Sequence, residues 1–153
     1  NALVARCLAQ VTDRLTYRNI RQDVSLDPAL PRVPVDAERL QQALLNVINN
    51  ASDAMTAGGC LTVRTVVGPG EVAIAVADDG PGVPEEVLAH VFDPFFSTKG
   101  ERGTGLGLSV SYGIVKDLGG NLSVRNGDEG AIFTIELPAT MHNAVTSGQT
   151  VQA

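Results

Sequence analysis

The chain is poor in the features that mark several classes of protein. It has 2 cysteines, no tryptophan, and aromatic residues at only 4% of its 153 positions. Cys7 and Cys60 do not form a C-x-x-C pair, which argues against a zinc ribbon or a dithiol redox site, and we predict that both are buried, reduced thiols. No run reaches the roughly 18 consecutive apolar residues that a membrane helix needs.

Basic residues are also scarce. The chain has 11 Lys and Arg against 17 Asp and Glu, which argues against nucleic acid as a partner because the phosphate backbone is bound by basic surfaces. Hydrophobic residues make up 44% of the chain, enough for one packed domain, and the length is too short for two. We expect one domain over residues 1–138, a polar, disordered tail over 139–153, and no direct contact with a membrane. Because the chain opens with Asn1 rather than Met, we also expect a longer parent protein.

The spacing of apolar residues predicts three main helices. Residues 1–16 carry a single apolar stripe. A second helix begins after Asp36, which is a suitable N-cap, and its pattern stops at Gly58. A third helix is predicted over residues 104–118 and is ended by Gly119.

Alternating apolar residues predict strands between these helices. Pro84 can also open a short helix that runs through His90. The order of helices and strands predicts an α+β two-layer sandwich with the helices on one face of the sheet. The predicted strands span residues 20–26, 60–67, 71–79, 121–126 and 131–138.

A polar stripe runs along the second helix. In "LLNVINNASDAM", residues 44–55, Asn46 and Asn50 are four positions apart and therefore share one helix face, beside Asp53. Asparagine is a poor helix former because its side chain competes for backbone hydrogen bonds. Mg²⁺ accepts neutral amide oxygens together with phosphate oxygens and waters. The stripe is therefore either a magnesium and phosphate site or a solvated helix face.

A strand followed by an acid and two glycines forms a second motif, "VADDGPGVP", residues 76–84. Asp78 is placed where a carboxylate can accept a hydrogen bond from an amino group. Gly80 and Gly82 allow the chain to turn close to a flat ligand. Taken alone, the segment also fits an ordinary Asp-Gly turn.

Glycine recurs at every second position in a third motif, "ERGTGLGLSV", residues 101–110. Gly103, Gly105 and Gly107 precede a predicted helix, an arrangement that presents backbone N–H groups to an anion such as phosphate. The motif matches neither the dinucleotide fingerprint nor the P-loop. The loop before it contains Ser97, Thr98, Lys99 and Arg102, and its positive charge is placed to reach phosphates once the loop closes.

Four segments together resemble one family: "LQQALLNVINNASDAM", "DDGPGVP", "FDPFFSTKGERGTGLGLSV" and "GAIFTIELP". In this order they are similar to the N, G1, F, G2 and last-strand elements of bacterial sensor histidine kinases. These kinases belong to the GHKL superfamily, with type II topoisomerases, heat-shock chaperones and mismatch-repair ATPases. The resemblance covers residues 20–138. It implies the Bergerat-type ATP-binding fold, with a mixed, mostly antiparallel sheet, and ATP and Mg²⁺ as cofactors.

The resemblance also implies roles for individual residues. Asn50 would be the Mg²⁺ ligand, and Asn46, one turn earlier, would line the phosphates and act in catalysis. Asp78 would bind the adenine amino group, with Val83 against the ring. The implied nucleotide-binding residues are Asn46, Asn50, Asp53, Asp78, Gly80, Gly82, Val83, Phe95, Lys99, Gly103, Thr104, Gly105, Leu106, Gly107 and Leu108.

The segment between the second and third motifs resembles the ATP lid of the family. Phe92, Phe95 and Phe96 would anchor this lid. Lys99 would be its contact with phosphate.

Two positions depart from the family pattern. Many relatives have a basic residue three positions after the metal-binding asparagine, where this chain has Asp53, so phosphate neutralisation would fall on the lid. The last strand often begins with Gly and a hydroxyl residue, whereas here Gly130 is followed by Ala131. Thr134 lies three residues further along the strand and is not an obvious replacement.

The chain holds two histidines, and neither has the context of a phosphate acceptor. His90 lies beside the predicted lid and His142 lies in the tail. We therefore expect the donor domain of a protein histidine kinase that acts in two-component signal transduction. Its expected partners are the phosphoacceptor-histidine dimerisation domain of the same parent and a cognate response regulator. The expected location is the cytoplasm, with or without a membrane anchor elsewhere in the parent.

Three alternatives remain open on the sequence. An ATP-hydrolysing conformational switch of the topoisomerase or chaperone type is disfavoured, because those relatives place a glutamate at the position of Asn46. A serine kinase of the anti-sigma-factor kind shares the same fold. A nucleotide-binding regulatory module without turnover is the third alternative, and the intact glycines and asparagines weigh against it.

Overall fold

The computed structural model describes residues 1–94, 96 and 107–139. Within these ranges no helix is long and apolar enough to cross a membrane. The elements in chain order are α1 (Ala2–Tyr17), β1 (Ile20–Ser25), α2 (Ala37–Ala54), β2 (Gly59–Gly68), β3 (Glu71–Ala77), α3 (Glu85–Leu88), α4 (Gly107–Asp117), β4 (Asn121–Asn126) and β5 (Ala131–Pro138).

The strands of the described ranges form one five-stranded sheet in the order β1-β2-β3-β5-β4. β1 and β2 are parallel, because α2 connects them as a crossover, and the other three neighbouring pairs are antiparallel. The predicted α+β sandwich with a mixed, mostly antiparallel sheet is therefore confirmed.

The core lies on one face of this sheet. The strand register aligns Val63, Val76 and Phe133 across β2, β3 and β5, and each of these side chains is at most 1% exposed. They pack in one cluster with the apolar stripes of α1, α2 and α4. The helices therefore cover one face, as the sequence periodicities require.

α2 is the helix on which the site depends. Asp36 caps it as predicted, because the Asp36 side chain accepts hydrogen bonds from the backbone N–H groups of Glu38 and Arg39 at 3.1 and 3.3 Å. Leu44 and Ile48 on its inner face are fully buried. Burial of this apolar face leaves the asparagine stripe on the outer part of the same helix.

Two details differ from the sequence predictions. Cys60 is only partly buried, whereas Cys7 is buried, because alternation along β2 turns Leu61 into the core and Cys60 away from it. The short helix after Pro84 ends at Leu88 rather than at His90, because the His90 N–H bonds to the Val87 carbonyl and tightens the turn. The third helix, predicted over residues 104–118, is described over Gly107–Asp117, and residues 104–106 lie outside the described residues.

We predict that Asp36→Ala lowers the free energy of unfolding by about 1 kcal/mol, because two amides of the first turn of α2 lose their acceptor. Urea denaturation followed by circular dichroism measures the change. Asp36→Ser, which keeps an oxygen at the cap, should lose less than about 0.5 kcal/mol. Equal losses in the two variants would show that the cap is not the cause.

Candidate functional site

A buried acid stands at the end of β3. Asp78 is 4% exposed, and its backbone N–H donates to the Ala131 carbonyl at 3.0 Å. Its Oδ1 accepts hydrogen bonds from the N–H groups of Gly80 and Ala131 at 3.0 and 3.3 Å. The β3–β5 pairing thus continues to Asp78 and holds its carboxyl group in place.

Burial raises the pKa of the Asp78 carboxyl, because removal from water disfavours the charged form. The amide hydrogen bonds lower this pKa, and the neighbouring Asp79 raises it slightly. Both amide bonds end on Oδ1, so within the described ranges Oδ2 is the oxygen left for a ligand. A buried carboxyl with a shifted pKa beside a glycine turn is typical of a binding site.

The adjacent acid has a different role. Asp79 Oδ1 accepts a hydrogen bond from the Cys60 N–H at 3.1 Å. This bond ties the loop after β3 to the start of β2. Asp79 therefore supports the fold, whereas Asp78 faces the candidate site.

Gly130 makes the close approach to Asp78 possible. Its φ is +69°, and a Cβ at this position would lie 2.1 Å from the Asp78 carbonyl oxygen. Only glycine fits both the conformation and the space. The small size of this residue therefore lets β5 begin directly against the buried acid.

The predicted glycine turn follows Asp78 and is held from across the sheet. Gly82 has a φ of +77°, and the next residue, Val83, donates its N–H to Asn126 Oδ1 at 2.8 Å. Asn126 Nδ2 in turn donates to the Val83 carbonyl at 2.6 Å. The sequence analysis did not identify Asn126, because it lies 43 residues away and no local pattern marks it.

The asparagine stripe lies beside the start of α4. Asn46 Nδ2 donates to the Gly107 carbonyl at 3.3 Å. Ser111 Oγ donates to the same carbonyl at 2.9 Å and contacts the Ala43 carbonyl at 3.2 Å. Asn50 is partly buried one turn after Asn46. The structure therefore brings two of the predicted motifs together, the asparagine helix and the end of the glycine run.

The Asp53 side chain pairs with Arg18, the residue that follows α1. The Arg18 guanidinium contacts Asp53 Oδ1 at 3.0 Å and donates to Ser52 Oγ at 3.0 Å. Ser52 is fully buried. Asp53 is therefore neutralised by a residue that follows another helix, a pairing that local spacing could not predict.

The stem of the predicted lid is anchored in the core. The Phe92 ring stacks on Tyr112 with centroids 5.1 Å apart and meets Phe133 edge-on at 6.3 Å. The Phe96 ring lies 6.0 Å from the His90 ring. Phe92 is therefore packed against the core where the predicted lid begins, and its role as a lid anchor stays a prediction.

Several predicted site residues lie outside the described residues. They are Phe95, Ser97, Thr98, Lys99, Arg102, Gly103, Thr104, Gly105 and Leu106. Of the glycine run, the structure describes Gly107, which is exposed, and the partly buried Leu108, which packs against the core.

The resemblance places a hydroxyl residue after Gly130, where this chain has Ala131, and Thr134 does not take its place. Thr134 pairs with Ala75 and Ser123 in the middle of the sheet. Because Ala75 lies three residues before Asp78 in the chain, Thr134 is placed away from the acid. Ala131 instead contacts Asp78 through its backbone. Ala131 thus offers Asp78 backbone groups and no side-chain donor.

The donor set suits a magnesium ion that is also bound by a substrate. Among the described residues no group of three or more His, Cys, Asp or Glu could hold a metal ion. Asn50 offers a neutral amide oxygen, a hard donor that Mg²⁺ accepts when phosphate oxygens and waters complete its octahedron. The residues present fit magnesium bound with a nucleotide better than a metal held by protein ligands alone.

This fold, with a buried acid at the end of an inner strand and a helix that starts at a glycine, defines an ATPase-type nucleotide-binding domain. The family described as "Histidine kinase-, DNA gyrase B-, and HSP90-like ATPase" matches residues 35–141. The chain belongs to this family, and its similarities within it are to sensor histidine kinases.

Two curated relatives illustrate this similarity. The sensor histidine kinase ZraS of Klebsiella oxytoca is 39% identical over 140 residues, which are 90% of this chain and 30% of ZraS. The sensory histidine kinase/phosphatase NtrB of Rhodobacter capsulatus is 36% identical over 125 residues, 73% of this chain and 35% of NtrB. The chain thus spans about a third of the length of these relatives.

Solved structures agree with this assignment. The catalytic domain of histidine kinase ThkA superposes with a TM-score of 0.84 at 32% identity, and 91% of each chain is covered. The mycobacterial sensor histidine kinase MprB gives 0.80 at 32% identity, covering 90% of this chain and 92% of MprB. The fold is therefore that of a histidine kinase catalytic domain.

We predict that Asp78→Asn changes the pH dependence of stability. The raised pKa means that native Asp78 is most stabilising below the pKa of the unfolded chain, about 4, and that this contribution is lost as pH rises through the folded pKa. The variant cannot ionise, and its amide oxygen can still accept both backbone bonds. Its stability relative to the native chain should therefore rise with pH across this window in urea titrations. A constant difference would contradict the raised pKa.

Proposed function

We propose that the chain is the ATP-binding catalytic domain of a sensor histidine kinase, which transfers the γ-phosphoryl group of ATP to a histidine outside this chain. The observation that carries the proposal is the buried Asp78, held by two backbone amides beside a glycine turn, in a chain that belongs to this ATPase family. The glycine turn after Asp78 lies against the end of the asparagine helix, since a Cβ at Gly80 would lie 2.8 Å from the Ala54 carbonyl oxygen.

The base of the nucleotide would bind at the sheet end of the site. Asp78 Oδ2 would accept a hydrogen bond from the exocyclic amino group of adenine. A carboxyl group held in a buried position favours a donor there, because an unpaired polar group would be costly. Val83 is partly buried against the core and would contact the purine ring.

The phosphates would lie at the helix end of the site. The Asn50 amide oxygen would be a ligand for Mg²⁺, which neutralises phosphate charge when it is bound. Asn46 bonds to the first residue of α4, and the N-terminus of that helix favours a negative charge. Lys99 from the lid would add a positive charge.

The reaction would be a displacement at phosphorus. A neutral imidazole nitrogen attacks the γ-phosphorus, the bond to the β–γ bridging oxygen breaks, and ADP leaves with that oxygen. Such a reaction depends mainly on positioning and charge neutralisation. Asn46 is not a carboxylate and cannot take a proton from water, which favours transfer over hydrolysis.

The accepting histidine would come from another segment of the parent protein. His90 is paired with Asp93 at 2.9 Å and contacts Phe96, so it is engaged in local contacts. The expected acceptor is a histidine on a dimerisation helix. A solved complex joins histidine kinase ThkA to the response regulator protein TrrA. By analogy we propose a response regulator as the next partner, and a cytoplasmic location.

We predict that the domain, mixed with labelled ATP, Mg²⁺ and the histidine-bearing helical segment of its parent protein, places acid-labile, base-stable phosphate on that segment. Asp78→Asn should lower the rate at least tenfold, because the adenine amino group loses a carboxylate acceptor. Asp79→Asn is the matched control and should stay near the native rate.

Other outcomes identify other functions. Label on serine would favour the anti-sigma-type kinase, and release of free phosphate without transfer would favour an ATP-hydrolysing switch. Absence of nucleotide binding by the native domain would overturn the proposal.

We predict that Asn50→Ala removes most of the magnesium dependence of nucleotide affinity. In calorimetric titrations with ADP, the native domain should bind at least tenfold more tightly with Mg²⁺ than with a chelator, and the variant should bind about equally in both. Asn49→Ala changes the preceding residue of the same helix, whose side chain bonds to Arg14, and should keep the native difference. An unchanged magnesium effect in Asn50→Ala would refute the assignment.

A further inference from the structure

The Asn126 side chain makes an unusual pair of contacts. Asn126 is the last residue of β4, and its amide bonds to both backbone groups of Val83: Oδ1 accepts from the N–H at 2.8 Å and Nδ2 donates to the carbonyl at 2.6 Å. The side chain thereby imitates the two hydrogen bonds that a neighbouring strand would exchange with Val83.

The hydrogen bonds between Asn126 and Val83 depend on glycine at position 82. Gly82 has a φ of +77°, and a Cβ at this position would lie 2.9 Å from Asn126 Oδ1. Glycine is therefore needed here both for the backbone conformation and for the approach of the amide. The turn and the asparagine fit one another.

Both ends of the segment from Asp78 to Val83 are held by the same hairpin. Asp78 is bound by Ala131 at the start of β5. Val83 is bound by Asn126 at the end of β4. The hairpin turn between these strands is closed by a Gly127 N–H to Gly130 carbonyl bond of 3.0 Å. The β4–β5 hairpin, which lies outside this segment, thus fixes the separation between Asp78 and the glycine turn.

We propose that Asn126 is a positioning residue for the base of the nucleotide. It acts through Val83, whose backbone it holds so that the glycine turn stands at the distance from Asp78 that an adenine ring requires. This inference rests on the proposed function, in which Asp78 and Val83 contact adenine. Preorganisation of a binding loop raises affinity because less ordering is needed when the ligand arrives.

The experiment compares three variants of the full chain with the native protein. Asn126→Ala removes both hydrogen bonds, and Asn126→Asp keeps the shape but loses the donor to the Val83 carbonyl. Asn121→Ala, which changes the same residue type at the other end of β4, is the matched control. For each protein we would measure ADP affinity by calorimetry, the thermal midpoint without nucleotide, and hydrogen exchange at the Val83 amide by NMR.

Asn126→Ala and Asn126→Asp are expected to weaken ADP binding about fivefold, the effect of losing one or two modest hydrogen bonds. Asn126→Ala should also speed exchange at the Val83 amide, while the thermal midpoint stays within a few degrees. Asn121→Ala should match the native protein in all three measurements.

Native ADP affinity in both Asn126 variants, or an equal loss in Asn121→Ala, would overturn the positioning role. So would weaker binding accompanied by unchanged Val83 exchange. If the native chain itself bound no ADP, the proposed function would fail instead. The exchange rate of the Val83 amide would still report whether Asn126 forms its two hydrogen bonds with Val83.

Discussion

The pairing of β3 with β5 is the constraint on which both the core and the site depend. The same register sets Val76 against Phe133 in the core and, two residues later, Asp78 against Ala131 at the sheet end. A slip of one residue would turn the apolar side chains out of the core and carry the acid away from its amide partners. Apolar burial thus fixes the position of a polar group that would be unfavourable in this environment without hydrogen bonds.

In the proposed function the site divides between the two layers of the sandwich. The base would bind at the sheet, where Asp78 and its glycine turn are attached to β4 and β5. The phosphates would bind at the helices, where Asn46 and Ser111 donate to the Gly107 carbonyl. In the proposed function one ATP molecule bridges the two ends, so its affinity depends on how rigidly the layers are packed. The common core cluster provides that rigidity.

The fold alone does not select among the reactions of this ATPase family, because function resides in particular side chains. An amide at Asn46 offers no base for the activation of water. Arg18, the residue that follows α1, pairs with Asp53 on α2, so the carboxylate at this position is neutralised from outside its own helix. Within the proposed function, the chemistry of the site would therefore depend on a few side chains rather than on the fold.

The sequence by itself determined the main helices and the strands, the capping of α2 by Asp36, the buried faces of α1 and α2 and the position of Asp78 at the end of a strand. These features follow from periodicity and local turn chemistry, which a short stretch of chain carries in full. Only the tertiary structure decided that Asn126 holds Val83 and that Arg18 holds Asp53. Each of these depends on which distant segments the sheet register and helix packing bring together, and no local pattern contains that information.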